Sequence, residues 1–145
     1  MANNRRRGGC LCGSVRFDVE LPESSFSICH CGMCRRWGGG PFEAAHCRDL
    51  HFAKEDGLAW YRSSDWGERG FCSRCGTSLF WRLADKTQDM MAVSVEALDD
   101  NADLSLLHHI YVDHKPARYE FADNRPRLTE AEFLASLGLG SPSEK

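Results

Sequence analysis

Three cysteines, Cys29, Cys31 and Cys34, lie within a stretch of six residues and constrain this chain more than any other feature. The whole sequence has eight cysteines in 145 residues. Cys-x-Cys and Cys-x-x-Cys are spacings that metal ligands use. The amino-terminal residues are polar and show no apolar signal segment, so we expect a cytoplasmic protein whose thiols stay reduced. In that setting clustered cysteines favour a metal ion over disulfides, and zinc is the ion that we expect.

Two further cysteine pairs, Cys10 with Cys12 and Cys72 with Cys75, flank this central group in the sequence. Each pair supplies half of a tetrahedral site, and a zinc ion that is held by four protein ligands is structural. We therefore predict that these four cysteines hold one structural zinc. The three central cysteines then form a second zinc site, which has an open fourth position. The spacing predicts two zinc ions per chain.

Other residues could close the central site and make it structural. Cys47 is the first candidate, although its apolar surroundings are also typical of a buried free cysteine. His30 and His46 are the others. Because His30 lies between two ligands, an extended backbone would point its side chain away from the ion. We expect His30 to face solvent or to lie outside the ligand set.

The residue pattern predicts a mostly β fold with a short C-terminal helix. Apolar and polar residues alternate from Ser14 to Glu20, and similar short apolar runs separated by turns follow. Thr129–Glu132 has the spacing of a capping box, and Gly138 ends the helix that it opens. With 42% hydrophobic residues, we expect one domain over residues 1–145. Its predicted parts are a basic tail (1–7), a core (8–128), a C-terminal helix (129–138) and a polar tail (139–145).

The segment Arg35–Pro41 follows the central cysteines, and its three consecutive glycines predict a loop beside them. Within it, Arg35 and Arg36 could bind substrate carboxylates. Trp37 could form a wall of the pocket, and Gly39 could allow a small peptide to approach closely. The acid–base candidates are the histidines His46, His51 and His108.

Three stretches resemble the glutathione-dependent formaldehyde-activating enzyme family, also called the GFA or CENP-V family. They are Gly8–Phe17, Cys29–Arg36 and Arg69–Thr77. The resemblance implies a β-tent fold of antiparallel sheets that zinc staples together, with both zinc sites as assigned above. It also implies a carbon–sulfur lyase that forms or cleaves S-hydroxymethylglutathione, the activity of an S-(hydroxymethyl)glutathione synthase. Its partners would be glutathione, or another small thiol, and an aldehyde.

The open site suits thiol chemistry better than hydrolysis. Three thiolates push electron density onto zinc and weaken its action on water. An incoming thiol would have its pKa lowered and could then add to an aldehyde carbon. The alternatives are a non-catalytic zinc-binding interaction module of the same fold and a protein that stores or exchanges zinc.

Charge and hydropathy exclude other classes of partner. The formal net charge is -3, and no basic stripe accompanies Arg5–Arg7, so we expect no nucleic acid. No apolar stretch reaches the roughly 18 residues that a spanning helix needs, so we expect no membrane insertion. The oligomeric state stays open.

Overall fold

The computed structural model describes residues 4–85 and 89–139. Within these ranges the strands are β1 (Arg5–Gly9), β2 (Val15–Glu20), β3 (Ser25–Cys29), β4 (Phe42–Glu55), β5 (Leu58–Arg62), β6 (Gly67–Cys72), β7 (Ser78–Leu83), β8 (Met91–Ser94), β9 (Ser105–Ile110) and β10 (Arg127–Leu128). The helices are α1 (Gly32–Gly38) and α2 (Glu130–Ser136), and short 3-10 turns cover Val95–Ala97 and Val112–His114. The predicted mostly β fold with a short C-terminal helix is confirmed. The predicted polar tail lies outside the described residues except for Leu139.

One hydrogen-bonded sheet joins the described strands in the order β10-β9-β3-β4-β8-β7-β6-β5, and β2 and β1 branch from β4. Most neighbours are antiparallel, as expected. The sheet is nevertheless mixed, because β9 runs parallel to both β3 and β10. The long strand β4 serves two groups of neighbours: its first part pairs with β3 and β8, and its second part pairs with β2.

The interior is organised around Phe80, which is fully buried. The ring centroids of Phe17, Phe52 and Trp60 lie 4.8, 6.0 and 5.9 Å from that of Phe80. Burial of one such aromatic side chain contributes about 2–3 kcal/mol. The alternation along β2 is confirmed, since every second residue from Val15 is buried. This core fixes the strands whose ends carry the cysteines.

The amino-terminal arginines do not form the solvated tail that we predicted. Residues 5–9 form strand β1, which pairs antiparallel with β2. Arg5 binds Asp18 and also donates to Asp49 Oδ2 at 2.9 Å. Arg6 holds both carboxylate oxygens of Asp103 at 2.7 and 2.8 Å. These carboxylates are distant from the arginines along the chain, so the residues next to the basic cluster gave no indication of its partners.

The predicted loop at Arg35–Pro41 is also wrong in its first half, because residues 32–38 form helix α1. The Cys31 side chain caps the helix by accepting a hydrogen bond from the Cys34 N–H at 3.3 Å. Gly39 ends the helix with a left-handed φ of 83°, and its N–H donates to the Arg35 carbonyl at 2.8 Å. The glycines therefore terminate a helix.

The C-terminal helix begins with the predicted capping box. The Thr129 side chain accepts from the Glu132 N–H, and the Glu132 carboxylate accepts from the Thr129 N–H. Gly138 has a φ of +76°, and the following N–H, of Leu139, donates to the Leu134 carbonyl at 2.9 Å. No helix in the described ranges is long and apolar enough to span a membrane.

Candidate metal centres

Cys10, Cys12, Cys72 and Cys75 come together with all four Sγ atoms within 4.8 Å of one another. The Sγ atom of Cys12 lies 3.7 Å from Cys10 Sγ and 3.8 Å from Cys72 Sγ. Sulfurs placed about 2.3 Å from a tetrahedral zinc lie about 3.8 Å apart. The four sulfurs therefore fit a zinc ion.

Two similar turns aim these sulfurs at one point. The first follows β1 and is closed by the Gly13 N–H, which donates to the Cys10 carbonyl at 3.2 Å. The second follows β6 and is closed by the Gly76 N–H, which donates to the Cys72 carbonyl at 2.8 Å. Both glycines have a φ of +83°, which side chains disfavour.

Backbone and hydroxyl groups surround the four sulfurs and stabilise their negative charge. The N–H groups of Arg74 and Cys75 each donate to Cys72 Sγ at 3.4 Å. The Thr77 hydroxyl lies 3.1 Å from Cys75 Sγ, and this hydrogen bond lowers the pKa of Cys75 to about 5. The Ser14 hydroxyl lies 3.2 Å from Cys12 Sγ and 3.3 Å from Cys72 Sγ.

Gly57 closes this site from the side, and our sequence reasoning missed it. A Cβ atom at position 57 would lie 2.8 Å from Cys72 Sγ and 2.6 Å from the Ser14 hydroxyl. The Gly57 carbonyl accepts hydrogen bonds from the Ser73 backbone at 2.6 Å and from its hydroxyl at 2.9 Å. The turn before β5 is therefore packed directly against the sulfurs.

Cys29, Cys31 and Cys34 form the second group, with their Sγ atoms within 4.8 Å of one another. Cys29 ends β3, and the other two lie at the start of α1. All three are buried, and Phe42 and Ile110 complete the apolar cluster around them. Hydrogen bonds from the Cys29 and Cys34 thiols lower the pKa of Cys31. Buried soft ligands on rigid elements are suited to zinc.

No fourth ligand joins this second group among the His, Cys, Asp and Glu residues that the structure describes. Cys47 belongs to the separate core around Phe80, where burial raises the pKa of its thiol to about 12. His46 is exposed on β4. The structure therefore leaves the three sulfurs without the closing residues that we considered.

The His30 side chain leaves the sulfur group, as we expected, but it does not face solvent. It is fully buried, and its Nε2 lies 2.9 Å from His109 Nδ1. The Nε2 of His109 in turn lies 2.9 Å from Asp123 Oδ2. His30 Nδ1 and the Tyr119 hydroxyl are buried without a hydrogen-bond partner in the described part of the chain. No sequence pattern indicated this hydrogen-bonded series of His30, His109 and Asp123.

The residues predicted to contact substrate occupy different positions around α1. Arg35 Nε donates to the His30 carbonyl at 3.0 Å and its Nη2 to the His114 carbonyl at 3.1 Å, so this side chain braces the backbone. Arg36 is exposed. Trp37 packs on Phe42, with ring centroids 5.4 Å apart.

The remaining histidine candidates do not reach either sulfur group. The His51 ring lies 3.0 Å from the Asp49 carboxylate, at the surface of β4. The Nδ1 of His108 lies 3.1 Å from the Ser27 hydroxyl. Neither side chain is part of the two ligand groups.

Arg69 is a further residue at the three-sulfur group, and sequence reasoning gave it no role although it begins the Arg69–Thr77 motif. Its side chain is buried on β6, and Nη1 donates to Cys34 Sγ at 3.4 Å. The guanidinium carbon lies 5.0 Å from the centroid of the Trp37 ring. A permanent positive charge therefore touches one of the three sulfurs.

The chain matches a family model and known proteins over most of its length. The family model for the glutathione-dependent formaldehyde-activating enzyme matches residues 5–114. An uncharacterized lyase from Schizosaccharomyces pombe is 28% identical over 131 residues, which cover 90% of this chain and 95% of the relative. A Halomonas elongata protein, provisionally described as a glutathione-dependent formaldehyde-activating enzyme, is 29% identical over 156 aligned positions that cover 91% of this chain and 96% of that protein.

A solved structure shares the fold. The crystal structure of a Rhodobacter sphaeroides protein matches with a TM-score of 0.56 and 26% sequence identity. The match covers 69% of this chain and 98% of the other.

Proposed function

The chain belongs to the glutathione-dependent formaldehyde-activating enzyme family, and we propose that it is a zinc-dependent carbon–sulfur lyase acting on a small thiol–aldehyde adduct. S-hydroxymethylglutathione, formed from glutathione and formaldehyde, is the proposed adduct. The observation that carries the proposal is the group of three buried sulfurs without a fourth ligand among the described residues. A purely structural zinc would need that fourth ligand.

The two sites are proposed to have different roles, one structural and one in binding the thiol. Cys10, Cys12, Cys72 and Cys75 would hold a structural zinc that joins the start of the chain to the end of β6. Cys29, Cys31 and Cys34 would hold the second ion, which, when bound, supplies a positive charge that keeps an incoming thiol in its thiolate form. The aldehyde carbon would then be the electrophile to which that sulfur adds.

Residues on and after α1 are proposed to orient the substrate. Arg36 is exposed and can meet a carboxylate of a peptide thiol. Gly39 follows at the exposed end of the helix, where the lack of a side chain gives a peptide backbone room. Trp37 supplies an apolar wall. None of the eight cysteines forms a disulfide bond, which supports the proposal of a reducing, cytoplasmic location.

The test combines metal analysis with exchange kinetics. We expect two zinc ions per chain, and we expect the protein to accelerate the exchange between glutathione with formaldehyde and their adduct, measured by NMR exchange spectroscopy against the spontaneous rate. Cys31→Ser should abolish the acceleration, whereas Cys47→Ala should keep it. Two zinc ions without any acceleration would overturn the enzyme proposal and favour the non-catalytic zinc-binding module.

A further inference from the structure

Arg69 is a buried cation without a carboxylate partner among the residues that the structure describes. Its residue is 4% exposed, and no Asp or Glu oxygen of the described residues lies within 4.0 Å of its side chain. Its polar contacts are Cys34 Sγ at 3.4 Å and the Ser63 hydroxyl at 3.2 Å. A guanidinium stays charged throughout the pH range in which proteins fold. Because a buried charge needs compensation, the sulfur group must supply the negative charge.

Neighbouring elements hold this guanidinium in one orientation. On β6, Arg69 is paired with Tyr61 of β5 and with Trp81 of β7, so its backbone lies inside the sheet. The guanidinium stacks over the Trp37 ring, and Trp37 lies on the same helix as Cys34. The positive charge is thus fixed on one side of the three sulfurs.

The charge count gives Arg69 a consequence for binding. Three thiolates around a divalent ion carry one excess negative charge, which the guanidinium balances. With an anionic fourth ligand, the ion, its four ligands and Arg69 together carry one excess negative charge. Without Arg69 the same group would carry two excess negative charges. A neutral ligand would not change the charge in either case. Arg69 therefore favours anionic ligands selectively.

We propose that Arg69 is a positioning residue that sets the specificity of the three-sulfur site for an anionic sulfur ligand over a neutral nitrogen ligand. The proposal rests on the proposed function for the open position, and it adds the residue that selects the charge of the ligand. Arg69 acts through Cys34.

The chain offers a matched control in Arg82. Its guanidinium carbon lies 3.5 Å from the centroid of the Trp60 ring, so it makes the same kind of cation–π contact. It also pairs with Glu68 at 2.8 Å and belongs to neither sulfur group. A substitution at Arg82 removes a stacked arginine without changing the charge beside Cys34.

The experiment uses the full chain loaded with cobalt(II), whose thiolate charge-transfer and d–d absorption bands report ligand binding. The protein is titrated with glutathione and, separately, with imidazole. Arg69→Gln should weaken glutathione binding about tenfold and leave imidazole binding within about twofold of the parent. Arg69→Lys should keep most of the selectivity, and Arg82→Gln should keep all of it. Equal losses for both ligands, or no loss for either, would overturn the proposal.

A second readout separates this proposal from the proposed function. Competition with a chelator should show that Arg69→Gln weakens cobalt binding about tenfold at the three-sulfur site only, because the bound group carries excess negative charge. If the parent protein binds no thiol, the proposed function fails, and unchanged cobalt affinity in the variant then also overturns the role of Arg69. If Arg69→Gln does not fold, Arg69→Met supplies the neutral side chain and Arg69→Lys the charged comparison.

Discussion

His30 and His109 lie 79 positions apart and share a hydrogen bond of 2.9 Å between their ring nitrogens. His109 extends the contact to Asp123, near the C-terminal end of the described chain. Since a carboxylate only accepts, His109 Nε2 donates to it, and in a neutral ring His109 Nδ1 then accepts from His30. This contact fixes the residue between Cys29 and Cys31 to a segment about ninety residues later.

Acid should weaken the hydrogen bond between His109 and Asp123. The hydrogen bond from His109 lowers the pKa of Asp123 to about 2. A carboxyl group whose folded pKa is depressed stabilises the fold above its unfolded pKa, near 3.9, and this contribution is lost as the pH falls towards the folded value. We therefore expect stability to fall between about pH 4 and pH 2, as measured by tryptophan fluorescence in urea.

Asp123→Asn should make the stability in that pH window less dependent on pH, while lowering stability at pH 7. Asp56→Asn, in an exposed turn, serves as the control and should retain the parent profile. An unchanged slope in Asp123→Asn would show that another group governs the acid transition.

The two sulfur groups should differ in their importance for folding. Cys75→Ser removes a ligand of the four-sulfur site, and we expect the variant to lose one zinc and its cooperative unfolding transition, because structural zinc supplies folding free energy. Cys31→Ser should also lose one zinc but keep a cooperative transition. Elemental analysis and thermal unfolding check both. A cooperative Cys75→Ser variant as stable as the parent would refute the structural assignment.

Cys47 should be inert in the folded protein. Burial raises the pKa of its thiol to about 12, and the residue has no exposed surface. At pH 8 we expect alkylation by iodoacetamide to be at least about 1000-fold slower than in the unfolded chain, because only the thiolate reacts. Mass spectrometry of the labelled peptides gives the rates. Fast labelling in the native state would place Cys47 outside the core.

Removal of residues 1–7 should destabilise the protein. The deletion eliminates most of the pairing between β1 and β2 and the bidentate contact from Arg6 to Asp103. At about 1 kcal/mol for each lost hydrogen bond, we expect a loss of about 3 kcal/mol or more in the free energy of unfolding. Removal of residues 140–145 is the comparison. A truncated protein with unchanged stability would restore the interpretation of a solvated tail.

Tyr119→Phe should stabilise the protein slightly. The Tyr119 hydroxyl is buried and lacks a protein partner in the described ranges. Its desolvation is therefore not offset by a hydrogen bond, and removing the hydroxyl removes this destabilising contribution. We expect a gain of about 1 kcal/mol in urea unfolding. Tyr61→Phe, at a residue that is 64% exposed, should change stability little. A loss of stability in Tyr119→Phe would reveal a water molecule bound to the hydroxyl.

Local patterns predicted the parts of this protein that depend on neighbours in sequence. The alternation from Val15 and the capping box at Thr129 lead directly to β2 and α2. Cysteine spacing was equally informative, because two ligands two or three positions apart share one turn.

Contacts between distant segments could not be predicted from the same patterns. Arg5–Arg7 looked like a tail because Asp18 and Asp103 become partners only when the sheet forms. Helix α1 was missed because its cap is a cysteine sulfur, which is not among the usual capping groups. Arg69 reaches Cys34 across 35 positions, and nothing local marks that contact.

The distance between Cys12 and Cys72, 60 positions along the chain, has a consequence for synthesis. The four-sulfur group cannot be assembled until residues 72–75 have left the ribosome, which adds roughly 5–20 residues each second. During those seconds Cys10 and Cys12 are unprotected thiols on a nascent polypeptide. The yield of native protein in a producing cell should therefore depend on how much exchangeable zinc is present while translation is still under way.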